Sequence, residues 1–210
     1  MKHLLSLLAL ALALVSCQQQ PAAVPAETTS LTDQVTELMM SRRSIRQYQD
    51  TRISRDTLQQ ILDCGINAPN GMNRQAYEVR VIDNPELVNE ISNAIVAENP
   101  KMGERPGFKN IFVNAPCVLC IAADKSYDMS AIDCGLLGEN IILKAWSMGI
   151  GSCCLGGPVR MLKTSAAAAP YLQRLNFSEG YDLILCIALG YPAEQPDAKP
   201  RNAEKVQFVD

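Results

Sequence analysis

Arg42-Arg43-Ser44-Ile45-Arg46 sets three guanidinium groups and a hydroxyl within five consecutive positions. A guanidinium presents a planar fork of donors that fits phosphate oxygens, and its charge does not titrate away. If the segment is extended, Arg42, Ser44 and Arg46 share one side and Ile45 turns towards the core. Taken alone, the cluster fits a phosphate clamp or a solvated basic turn. A second basic pair, Lys199 and Arg201, stands near the other end of the chain and by itself fits a solvated tail as well. Between the two lie an amide-dense loop, Pro69-Asn70-Gly71-Met72-Asn73-Arg74-Gln75, and a glycine-rich run at 149–157, GIGSCCLGG. Glycine lets backbone come close to a ligand because no Cβ intervenes. The same run also suits a helix C-cap followed by a loop.

The rest of the composition narrows the chemistry. The chain has 210 residues, a formal charge of −3 and one histidine, His3. No basic stripe remains once residues 42–46 are set aside, which argues against nucleic acid as a partner. His3 falls in a segment expected to be removed, which leaves no histidine for a general base or a metal site. Of the eight cysteines, most sit in apolar surroundings and read as small hydrophobes rather than a disulfide framework or a metal site. Cys117 and Cys120, three apart in a strand-like run, point to opposite faces.

The first thirty residues stand apart. Lys2 precedes an apolar run over 4–15, too short to span a bilayer, which takes roughly 20 residues, but suited to a signal-peptide core. The run ends in Leu14-Val15-Ser16-Cys17, which resembles the lipobox of bacterial lipoproteins. The resemblance implies removal of 1–16 and lipid attachment at Cys17, leaving an exported, membrane-anchored protein facing the periplasm; an ordinary secretory peptide is the alternative. Residues 17–30, polar and rich in Pro and Ala, read as a tether, and 31–210 as one globular domain.

Several elements must position the candidate residues. An amphipathic run over 31–40 precedes the arginine cluster. A helix opens after Ser54, with Leu58, Ile61, Leu62, Gly65 and Ile66 as its apolar stripe, and stops before Pro69. Residues 77–82 alternate like a strand with one buried face, and Pro85 opens a further helix. The polar connection 98–110 is suited to covering a site. Residues 115–122 and 182–189 are continuous apolar runs, read as central strands. Between them, 131–148 is a helix apolar on nearly all sides, which must be buried in the core or against another subunit. The glycine-rich run is read as a loop, and 160–175 as a helix broken at Pro170. Strands alternating with helices give one α/β or α+β sandwich.

Four segments in order, RRSIRQY, APNGMNRQAYEVRVI, GIGSCCLGG and ALGYPAEQPDAKPR, resemble the FMN-dependent nitroreductase family from about residue 31 to the end. The resemblance implies an α+β fold: a three-layer α/β/α sandwich with a central, mostly antiparallel sheet, in an obligate homodimer. It implies FMN as cofactor. Arg42, Arg43, Ser44 and Arg46 would bind its phosphate, ribityl chain or pyrimidine edge, and Lys199 and Arg201 would return to the phosphate. Pro69, Asn70, Gly71 and Asn73 would come from the partner subunit, and Cys154, Leu155, Gly156 and Gly157 would pass beside the ring. The flavin itself then carries the electrons, with no catalytic side chain required. The implied activity is two-step reduction of nitro compounds, quinones or similar small acceptors by a small donor, NAD(P)H in the family. A specialised flavin enzyme of the superfamily, such as a dehalogenase or oxidase, and a non-catalytic periplasmic binding lipoprotein remain the alternatives.

Overall fold

Two long apolar strands decide the architecture of the computed structural model, which describes residues 29–209. The apolar leader, Cys17 and the tether up to residue 28 lie outside the described residues. Cys117–Asp124 (β2) and Tyr181–Gly190 (β4) pair antiparallel in the middle of a four-stranded sheet, order β1-β2-β4-β3. Tyr77–Ile82 (β1) and Gly151–Leu155 (β3) form its two edges, both antiparallel to their neighbours.

Because side chains alternate along a strand, β2 feeds two cores. Val118 and Cys120 enter one, while Cys117, Leu119, Ile121 and Ala123 enter the other. The two cysteines therefore do face opposite ways, as their spacing predicts. The register between β2 and β4 shifts at Ile121/Ala122. This bulge lets Leu183 and Cys186 of β4 share one core although they are three positions apart.

Helices cover both faces. On one side lie Arg55–Ile66 (α2) and Ser130–Ser147 (α4), on the other Pro85–Glu98 (α3), Gly157–Thr164 (α5) and Ala169–Arg174 (α6). The result is three layers, with Leu31–Ser41 (α1) outside them. Starts are set locally: the Ser54 hydroxyl accepts from Thr57 N at 3.1 Å, and Asn84 Oδ1 from the N–H groups of Glu86 and Leu87. Gly65 allows α2 and α4 to touch, since a Cβ there would lie 2.6 Å from Ile141 Cγ1.

Several expectations need correction. The run GIGSCCLGG is not a loop: residues 151–155 form β3, because the free edge of β4 offers a backbone partner that no local pattern reveals. Pro170 does not break a helix but opens α6, where its missing N–H costs nothing; the break falls at 165–168. The stripe of α2 ends before Ile66, which is half exposed. On β1 the burial is partial rather than one-sided, because the strand lies at an edge with helices on both faces. The tail carries a short 3-10 turn at Ala203–Lys205. The connection 98–110 is pinned at its far end by Asn110, whose Oδ1 accepts from Phe112 N and Asn114 N at 3.0 Å each. Only one side of α4 is buried: Ile132 and Leu136 are exposed, as are Leu31, Val35, Met39 and Met40 of α1.

Candidate functional site

Ser44 and Ile45 lie along the outside of β3, and the segment continues to Tyr48 beside Pro192. Ile45 N–H donates to Ser152 O at 2.9 Å, Ser44 bridges Ser152 in parallel, and the Ile45 side chain is fully buried. The expected alternation therefore holds, with Ile45 inward and its polar neighbours outward. Gly151 makes the approach possible, because a Cβ there would lie 2.7 Å from Ile45 Cγ1 and 3.1 Å from Pro192 Cγ. Tyr48 locks the bend by donating its hydroxyl to Ile45 O at 2.6 Å; burial pushes that phenol far above its ordinary pKa, so it stays a donor.

The chain's end is laced to the same segment. Gln49 N–H donates to Tyr191 O and Ala193 N–H to Gln47 O, each at 2.9 Å. The Glu194 carboxylate accepts from Arg46 N–H and, at 3.2 Å, from Gln47 N–H. From this anchor the tail leads Lys199 and Arg201 back over the arginine cluster.

The product is one cavity of about 310 Å³ lined by Arg42, Arg43, Ser44, Arg46, Lys199 and Arg201, with Asp197 at its wall. Every predicted basic residue from the two ends of the chain meets there. Among the described residues none of the five cations is in an ion pair. Two are partly committed to backbone: Arg43 donates to Met40 O and Arg42 O at the end of α1, and Arg46 to Ser44 O. Five cations free of ion pairs among the described residues, around a small cavity with Asp197 at its wall, suit a phosphate dianion, for which charge-assisted hydrogen bonds are strongest. Such a donor set fits the phosphate of FMN.

The other predicted residues lie nearby or elsewhere. Cys154, Leu155, Gly156 and Gly157 end β3 and open α5, next to the clamp but not lining its cavity. At Gly156 and Gly157 a Cβ would meet no heavy atom within 4 Å, so their glycine character answers to nothing in the fold itself. Desolvation pushes the thiols of Cys153 and Cys154 upward, with Arg42 opposing in both, which keeps them protonated rather than nucleophilic at neutral pH. Pro69, Asn70, Gly71 and Asn73 do not reach the cavity either. They form a bend between α2 and β1 in which Met72, Asn73 and Gln75 all adopt left-handed backbone, at φ 53°, 52° and 49°. Sequence reasoning missed Glu194, whose only signal was its place in the AEQPDAKPR stretch, and Trp146, whose indole N–H donates to Ser41 Oγ at 2.9 Å beneath α1.

Known proteins carry the same arrangement of chain. The family model described as the nitroreductase family matches residues 39–191. A protein of Archaeoglobus fulgidus is 30% identical over 166 residues, 77% of this chain and 87% of its own. The NADPH-flavin oxidoreductase of Vibrio harveyi is 27% identical over 79% of this chain and 68% of its own. A Desulfitobacterium hafniense nitroreductase with bound FMN superposes with a TM-score of 0.73 at 29% identity, over 83% of this chain and 97% of its own. The Bacteroides fragilis nitroreductase with bound FMN gives 0.71 at 27% identity, over 84% and 98%. A match that takes in the arginine cluster, the sheet and the start of the tail, with the same fold in solved relatives, leaves one conclusion: the chain belongs to the nitroreductase family.

Proposed function

We propose that this chain is an FMN-dependent oxidoreductase that takes electrons from NAD(P)H and passes them to a small acceptor such as a nitro compound or a quinone. The observation that carries the reading is the cavity where five cations from opposite ends of the chain converge, none of them in an ion pair among the described residues. Support comes from the D. hafniense and B. fragilis relatives with bound FMN and from the V. harveyi flavin oxidoreductase. When bound, the flavin would supply the electron transfer between a small donor and a small acceptor. The chain's own work is to bind and orient. Arg42, Arg43, Ser44 and Arg46 would hold the phosphate end, with Lys199 and Arg201 across the same cavity. Glu194 keeps that arrangement in register by holding the Arg46 and Gln47 amides. Cys154, Leu155, Gly156 and Gly157, where β3 ends and α5 begins, would run beside the ring.

The working molecule in this reading is a homodimer. The open side of α4, with Ile132 and Leu136, together with Met39 and Met40 of α1, is more apolar surface than a monomer gains by exposing. It would also bring Pro69, Asn70, Gly71 and Asn73 of one subunit to the flavin of the other. The lipobox ending at Cys17 supports a lipid-anchored protein facing the periplasm. An absorbance spectrum of the purified chain tests the function directly. Flavin bands that bleach with NAD(P)H and return with a nitro compound or quinone are expected. A colourless protein that does not take up FMN would overturn the reading, and a flavin that never bleaches would leave only a binding role.

A further inference from the structure

Asp133 is buried to 2% exposure and carries none of the roles assigned above. It stands in the first turn of α4, next to the exposed Ile132. Its carboxylate oxygens lie 3.1 and 3.3 Å from the backbone N of Gly71, which donates to them across 62 positions of sequence. Among the described residues no other hydrogen bond reaches that carboxylate and no basic side chain pairs with it. A buried carboxylate is costly unless it is well compensated, and one N–H with the start of a helix is a thin allowance.

What Asp133 holds is the amide-rich bend at 70–75. Met72, Asn73 and Gln75 are all left-handed there, and backbone of that kind persists only where its surroundings over-determine it. The surroundings are specific. Asn70 Oδ1 accepts from Gln75 N at 2.9 Å. The hydroxyl of Tyr127 lies 1.9 Å from where a Cβ on Gly71 would stand, so a larger residue there would force the tyrosine to move. The Arg74 guanidinium sits 4.5 Å from the centre of the Tyr127 ring. Tyr127 and Asp133, on either side of the start of α4, thus grip one short bend.

We propose that Asp133 is a positioning residue for the flavin. Through the Gly71 N–H it keeps Asn70, Gly71 and Asn73 in the strained shape in which they meet the flavin ring edge of a second subunit. The proposal rests on the FMN reading above. It also explains why the grip is anchored on α4, since the helix that faces the partner subunit would carry the bend to the partner's flavin.

The test uses the full-length protein with Asp133→Ala and Asp133→Asn, measuring FMN and riboflavin affinity, visible circular dichroism of the bound flavin, and the urea midpoint. Asn keeps an oxygen for the Gly71 N–H, whereas Ala leaves that N–H without a partner. With Asp133→Ala, both flavins should weaken by the same factor, about 5- to 150-fold, the range for one orphaned buried hydrogen-bonding group. At saturating FMN the flavin dichroism should change, and Asp133→Asn should restore most of both signals. Should Asp133→Ala not fold, Gly71→Ala approaches the same bend from the Tyr127 side and should give the same flavin signature. A lower urea midpoint with unchanged flavin affinity and dichroism would overturn the proposal, because Asp133 would then serve only the core. Weakening of FMN but not riboflavin would overturn it too, by moving the effect to the phosphate. Wild-type protein that binds no flavin would sink the FMN reading and this proposal together, whereas a flavin-loaded wild type with an indifferent Asp133→Ala sinks this proposal alone.

Discussion

Arg201 isolates the chemistry of the clamp better than any residue of the 42–46 cluster. Arg43 and Arg46 also bond to backbone, so their loss would disturb the end of α1 and the bend at Ser44. Arg201 lies on an exposed tail, lines the cavity and makes no hydrogen bond or ion pair among the described residues. A charge-assisted hydrogen bond to phosphate is worth about 1.5–3 kcal/mol, which corresponds to roughly 10- to 150-fold in affinity. Arg201→Ala should therefore weaken FMN by that factor and leave riboflavin, which lacks the phosphate, nearly unchanged. Fluorescence titration of both ligands decides it: equal losses would assign Arg201 to the ring or the fold. The expected pattern is the opposite of that for Asp133, where both ligands should weaken together.

At the scale of elements, the clamp depends on a packing contact that carries no charge. Residues 44–46 lie against β3 only because position 151 has no Cβ. An alanine there would stand 2.9 Å from Ile45 Cβ and 2.7 Å from its Cγ1. A Cβ anchored to backbone cannot swing aside, so the segment must lift. Overpacking of this kind costs about 1–3 kcal/mol. Gly151→Ala should lower the urea midpoint and weaken FMN and riboflavin alike, although it changes no polar group of the site. Unchanged flavin affinity would mean that the clamp tolerates displacement of Ile45. The same reasoning explains why β3 reads poorly in sequence. Gly151-Ser152-Cys153-Cys154-Leu155 has weak strand propensity, yet it is paired through the free edge of β4 and capped by Ile45.

The whole molecule carries more apolar surface than its own core explains. Ile132 and Leu136 on α4 are 54% and 40% exposed, and Met39 and Met40 on α1 are 56% and 73% exposed. A helix patterned as apolar all round, yet covered on one side only, calls for a second surface. If the proposed homodimer forms through this face, Leu136→Lys should give a monomer in light scattering at micromolar concentration and release FMN with it. A lysine variant that stays dimeric and flavin-loaded would remove α4 from the interface. The anchor is testable separately. Cys17→Ala should abolish fatty-acid labelling and membrane association while leaving flavin content unchanged, and a variant still labelled would reject the lipobox.

Much of this could be read without coordinates, and the reason is locality. Ser54 and Asn84 cap their helices with bonds to residues two or three positions on, and the apolar runs of β2 and β4 announce burial on both faces; such signals lie within a few residues of one another. The cations that line the cavity could be picked out as well, because arginine shows its charge in any fold. What tertiary structure alone decided is every relation across the sheet. The closure of Lys199 and Arg201 over Arg42 runs through Tyr48, Pro192 and Glu194, with Arg46 and Glu194 148 positions apart in sequence. The strand at 151–155 exists because β4 had an unpaired edge. The buried carboxylate of Asp133 has meaning only against Gly71, whose N–H no periodicity could assign to it. Backbone hydrogen bonds between strands and contacts between layers are set by which surfaces remain unpaired once the central strands have formed, and that is a property of the assembled sheet rather than of any stretch of sequence.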